Sequence, residues 1–193
     1  MIGGAVLVLA AVVGLVARGP LAWLYYGDDL LWGVGVLILV IGIGRAGSIT
    51  RRRPFATTVV ILQVIVASPA ASWYLSTQLP DLPPSTNAAE DAWSALFMPY
   101  YVLVFVLTVT AVFMIGFAGA VPKPWSWAPS WVLVWSAVLW WVSLQTFSSA
   151  PLGTWAATVG AYIGPVSGAI GIAFLGILAI VLGRRSTRAS VAV

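Results

Sequence analysis

The nine basic and five acidic residues of this 193-residue chain fall almost entirely in short gaps between long apolar runs. That spacing leaves few folds open, because an apolar run of roughly 20 residues is what a helix needs to cross a bilayer core about 30 Å thick. A soluble domain carries about 25% charged residues, whereas this chain carries 7% against 61% hydrophobic and has a mean hydropathy of +1.03. The expected class is an all-α, polytopic integral membrane protein, with one membrane domain over residues 1–193 and no separate soluble domain.

Six runs are read as membrane helices: about 2–17, 21–44, 55–75, 93–120, 131–147 and 155–183. The first lacks a basic n-region and an A-x-A cleavage site, so it is expected to be a retained span rather than a secretory leader. The start of the second is open: a helix from Leu21 takes Asp28 and Asp29 into the membrane, whereas one from Leu30 leaves them at the surface. Six spans put both termini on one side. Counting charges over the short loops places eight of the nine basic residues (Arg45, Arg51, Arg52, Arg53, Lys123, Arg184, Arg185, Arg188) with the termini and leaves Arg18 opposite. The five acidic residues (Asp28, Asp29, Asp81, Glu90, Asp91) share the side of Arg18. The expected location is a cell membrane, the inner membrane in a bacterial setting, with both termini cytoplasmic.

Composition also removes chemistry. Without Cys or His there are no disulfides, thiolate nucleophiles, bis-imidazole haem sites, ordinary zinc sites or Ser-His-Asp triads. No cofactor or metal is expected. The basic residues punctuate helices instead of forming a patch with aromatic or groove-reading elements, which sets nucleic acid aside despite the net charge of +4.

The segment Trp23-Leu24-Tyr25-Tyr26-Gly27-Asp28-Asp29-Leu30-Leu31-Trp32 concentrates polar chemistry at the outer boundary. Intramembrane carboxylates are costly and should face a cavity, a partner or water; alternatively the aspartates sit among head groups within an aromatic belt of Trp23, Tyr25, Tyr26 and Trp32. Glu90 and Asp91 precede Trp93 at the start of the fourth run, where acidic side chains complement the positive end of a helix dipole. A ligand site would combine these carboxylates with Trp73, Trp93, Tyr100, Trp140 and Trp141 from neighbouring spans, the rings holding an apolar or cationic body. If the chain were an enzyme, Asp28 or Asp29 would be the proton donor.

Gly160, Gly164 and Gly168 form a small-residue stripe suited to close helix approach, within the chain or in an oligomer or partner contact. Pro69 and Pro165 are candidate bends, and Gln63 should bond to a neighbouring helix. The segment Lys123-Pro124-Trp125-Ser126-Trp127-Ala128-Pro129-Ser130-Trp131 resembles the Lys-Pro-Trp, Pro, Trp pattern in the first loop of the tryptophan-rich sensory (translocator) protein family. Here it precedes the fifth run, with one further run to follow, and no function or residue role is carried over. In size and span number the chain resembles the vitamin-binding S components of energy-coupling factor transporters. That likeness implies a small-molecule transporter, or its substrate-binding membrane subunit, with an outward-facing acidic-aromatic site. The alternatives are a membrane enzyme that protonates an isoprenoid or lipid, and an accessory subunit of a larger complex. The partners these readings allow are the bilayer, a hydrophobic or cationic small molecule, and a membrane protein or second copy.

Overall fold

The computed structural model describes residues 2–17, 26–42, 48–51, 53–80, 87–151 and 153–191, with side chains as far as residue 184. Among the described residues, seven α-helices follow one another: α1 (Ile2–Val16), α2 (Gly27–Ile41), α3 (Pro54–Val66), α4 (Pro69–Ser76), α5 (Asn87–Ala118), α6 (Ala128–Ser149) and α7 (Trp155–Val191), with a 3-10 turn at Trp125–Trp127 before α6. Among the described residues there is no strand.

The expectation of six spans is corrected. Three segments are long and apolar enough to cross a membrane, those built on α5, α6 and α7, and the number rises to four if the α3–α4 pair acts as one span. The reason is length. The described helix of the first run has 15 residues and that of the second also has 15, each about 22 Å at 1.5 Å per residue. In the third run Pro69 cannot donate to the helical ladder, and the chain breaks there by 51°. Ser68 starts the second piece as its N-cap, its Oγ accepting from Ala71 N–H. Pro165, by contrast, lies inside an uninterrupted α7.

The second run is also shorter than expected at its far end. Gly42 adopts a left-handed conformation (φ 74°) and donates its N–H to Ile38 O, closing α2 as a C-terminal glycine does. The freed carbonyls beyond are satisfied by the next described segment: Ile49 N–H donates to Leu39 O and Ser48 Oγ to Val40 O. The run through 183 was expected to end at the basic tail, yet α7 continues helically to Val191.

Neighbours run in the order α1, α2, α3, α5, α6, α7 and back to α1, so the helices form a ring. Glycine sets its tightest seams. A Cβ built on Gly4 would meet Gly176 O at 2.5 Å, and one on Gly176 would meet Gly4 O at 2.6 Å, so α1 and α7 cross backbone to backbone. Gly3 and Gly35 do the same for α1 and α2. Along α7, Gly160 meets the Phe147 backbone of α6, Gly164 lies under the Trp140 ring and Gly171 under Val132. Gly168 faces open space, so the stripe packs within the chain and skips its expected third member.

The distribution of side-chain size is inverted relative to a soluble bundle. Buried positions are mostly small, among them Ala10, Ala11, Ala56, Ala111, Ser143 and Ser167, while Phe105, Phe113, Trp131, Trp135, Trp140 and Trp141 are exposed. Only 11% of the most apolar stretch of α5, and the same share for α6, is buried. Much of the outer surface of the ring is therefore hydrocarbon.

Candidate functional site

Antiparallel packing sorts charge by end. Gly14 of α1 lies against Asp28 at the start of α2, and Gly4 lies against Gly176 near the far end of α7. One end of the ring thus collects Ile2, Ile41, Pro54, Ala118, Trp125 and Gly183, and with them every cation whose side chain is described: Arg51, Arg53, Lys123 and Arg184. The described carboxylates, Asp28, Asp29, Glu90 and Asp91, belong to the other end. At the basic end Arg51 takes a left-handed conformation (φ 51°) and its guanidinium comes beside Gly119, just past the C-terminal, negative end of the α5 dipole.

Inside the basic half lies a cavity of about 650 Å³, within the range of small-molecule sites. Its wall is mainly apolar: Leu7, Trp32, Val36, Val60, Ala111 and Ile115 are among the residues from α1, α2, α3 and α5, and Leu175, Leu178 and Leu182 face it from α7. Polar groups enter at two levels. Deep in the wall, the Nε2 of Gln63 donates to Thr108 Oγ1 at 3.4 Å, and Thr108 Oγ1 donates in turn to Val104 O at 2.7 Å; the expected bond from Gln63 to a neighbouring helix is present. Nearer the basic end are Ser48, Lys123 and Ser126. Ser48 is committed to a chain in which its Oγ lies 2.8 Å from Thr50 Oγ1, which lies 2.9 Å from Thr57 Oγ1. Ser126 is not committed: its side chain is 3% exposed and its Oγ has no hydrogen-bond partner. The turn holding Ser126 is fixed by Trp127, which sits on Gly116 in edge contact with Phe113 and Phe117 at centroid distances of 6.0 and 5.2 Å.

The residues proposed from sequence are placed elsewhere, Trp32 excepted. Trp23 and Tyr25 lie outside the described residues. Tyr26 immediately precedes α2 and is exposed, and Asp28 and Asp29 occupy its first turn. The Asp28 carboxylate packs on Gly14, with a Cβ built on that glycine only 2.7 Å from Oδ2, while Oδ1 is buried without a hydrogen-bond partner. Asp29 is exposed and within electrostatic reach of Tyr100.

Tyr100 serves the break in the third run, its hydroxyl donating to Val66 O at 2.9 Å. Trp93 stacks on Phe97 at 5.0 Å and, with Glu90, Leu79 and Pro80, borders a second hollow of about 530 Å³. Asp91 is exposed beside it. Trp73, Trp140 and Trp141 are 60% exposed or more. Apart from Trp32, the described members of the expected acidic-aromatic set are thus spread over the far end of the ring, and no described carboxylate lines the larger cavity.

Sequence reasoning treated Lys123 as a topology marker and passed over Ser126 and Thr108. A signal was available: Lys123 is the only cation between Arg53 and Arg184. Comparison with protein-family models, with curated proteins and with solved structures gives no match to this chain.

Proposed function

We propose that the chain is an integral membrane protein that binds a small apolar or amphipathic molecule in the cavity of its basic half, as a transporter or as the substrate-binding membrane subunit of one. The observation carrying this reading is an apolar cavity of small-molecule size inside a ring whose outer surface is itself hydrocarbon. Such a surface is at home among lipid tails, where close helix contact depends on small residues such as Gly4 and Gly176. The α3–α4 pair, α5, α6 and α7 cross the bilayer in this reading, with the basic end cytoplasmic. Both the Ile2 end of α1 and the Gly183 end of α7 then face the cytoplasm. An acid-donating enzyme is the weaker reading, since it needs a carboxyl group at its pocket.

The test is photolabelling in nanodiscs with a diazirine-bearing octanol. Adducts are expected on Thr108, Ala111 and Leu178, competed by excess octanol and reduced in Ala111→Phe, whose ring would take up part of the cavity. Adducts confined to outward residues such as Phe105 and Trp135, without competition, would contradict the proposal.

A further inference from the structure

The polar groups at the basic end of the cavity specify more than an apolar ligand. We infer that this cavity selects a single-tailed amphiphile with an anionic head group, a carboxylate or a phosphate monoester, whose charge is held by Lys123 and Ser126 while its tail lies towards Gln63 and Thr108. The inference rests on the binding function proposed above and adds the chemistry of the ligand.

Three observations carry it. Among the described residues Lys123, exposed at the basic end, is the only titratable side chain lining the cavity, and the described carboxylates that could neutralise it lie at the opposite end of the ring. An ammonium beside a low-dielectric wall attracts an anion more strongly than one in open water does. Second, Ser126 lies a short step along the same turn with its Oγ buried and unpartnered, and a rotation that brings this hydroxyl to an anionic acceptor in the cavity would remove the cost of leaving it unbonded. Third, the remaining wall changes from polar to apolar away from that turn: Leu175, Leu178, Ala111 and Val112 surround the interior, and the Gln63 amide and Thr108 hydroxyl are already bonded there. A cationic head would meet Lys123 with like charge, and a neutral alcohol would leave Lys123 without a counter-charge.

The experiment uses the full chain in nanodiscs and measures competition against the diazirine-bearing octanol by octyl phosphate, octanoate, octanol and octyltrimethylammonium. Octyl phosphate and octanoate are expected to compete at concentrations at least tenfold lower than octanol, and the ammonium compound more weakly than octanol. Lys123→Met should abolish the tenfold advantage over octanol, while Lys123→Arg should keep most of it; Ser126→Ala should reduce it severalfold.

A parallel arm offers lysophosphatidate from the bilayer of the nanodisc: competition there alone identifies a membrane lipid as the source, and competition by octyl phosphate alone identifies a water-borne one. Either supports the anionic-head assignment. Equal competition by all four octyl compounds, with Lys123→Met behaving as the parent, overturns the head-group inference and leaves the apolar binding function standing. Loss of saturable octanol labelling itself overturns both.

Discussion

At Gly4 and Gly176 the α1 and α7 backbones meet so closely that neither position has room for a methyl group. Inserting one into such a contact typically costs 1–3 kcal/mol. Gly176→Ala should therefore destabilise the chain by about 2 kcal/mol in denaturant unfolding from mixed micelles, and Gly168→Ala, which places its methyl in open space, should change stability by less than about 0.5 kcal/mol. Equal effects at the two glycines would refute the assigned seam. Only part of this was legible in sequence. Gly160 and Gly164 announced themselves by helical spacing, but Gly4 and Gly176 belong to helices at opposite ends of the chain, and no local periodicity marks a contact between them. Tyr100 offers a second residue-level test: Tyr100→Phe removes the hydroxyl donated to Val66 O and should cost about 1 kcal/mol, with no loss if that carbonyl is otherwise satisfied.

Helix breaks are better written in the sequence than helix lengths. Pro69 follows Ser68, a residue type suited to an N-cap, and the break falls there. Pro165 carries the same missing donor but leaves α7 continuous, with Ser143 of α6 donating to Gly160 O and Trp140 lying on Gly164 just before it. The helix α1 fills its apolar run, which is itself short for a span, whereas α2 was over-read because apolar composition continues past the left-handed Gly42 at which its hydrogen-bonded helix stops. At the turn into α6, Trp127 joins α5 to α6 through Gly116, Phe113 and Phe117. Trp127→Ala should cost roughly 3 kcal/mol and weaken octanol labelling, since the same turn carries Ser126. Full stability with full labelling would show that the turn does not shape the cavity.

Over the whole molecule, two patterns matter: charge is divided between the ends, and large apolar side chains face outwards. The first was legible, because loop charges can be counted without knowing how helices pack, and it is retained in the grouping of Arg51, Arg53, Lys123 and Arg184 opposite Asp28, Asp29, Glu90 and Asp91. The cavity was not legible. Its wall draws residues from six helices and a turn, most of them ordinary aliphatics, whereas the conspicuous aromatic and acidic residues, Trp32 apart, lie at helix starts, a helix break, the second hollow and the outer surface. Conspicuous chemistry in an apolar chain marks boundaries as readily as it marks sites, because boundaries are where polar groups are affordable.

The central claim, a membrane-crossing ring whose ligand cavity opens at the cytoplasmic, basic end, is tested most directly by sided cysteine labelling in a chain that has no cysteine of its own. Gln78, exposed beyond α4, and Ala120, at the cavity beyond α5, are replaced singly by Cys and exposed to a membrane-impermeant maleimide in intact cells and in inverted vesicles, with and without octanol. The account predicts that Gln78→Cys reacts only from outside and is indifferent to octanol, and that Ala120→Cys reacts only in inverted vesicles and is slowed severalfold by octanol. Labelling of both from the same side, reversed sidedness, or an Ala120→Cys rate unchanged by octanol would contradict it.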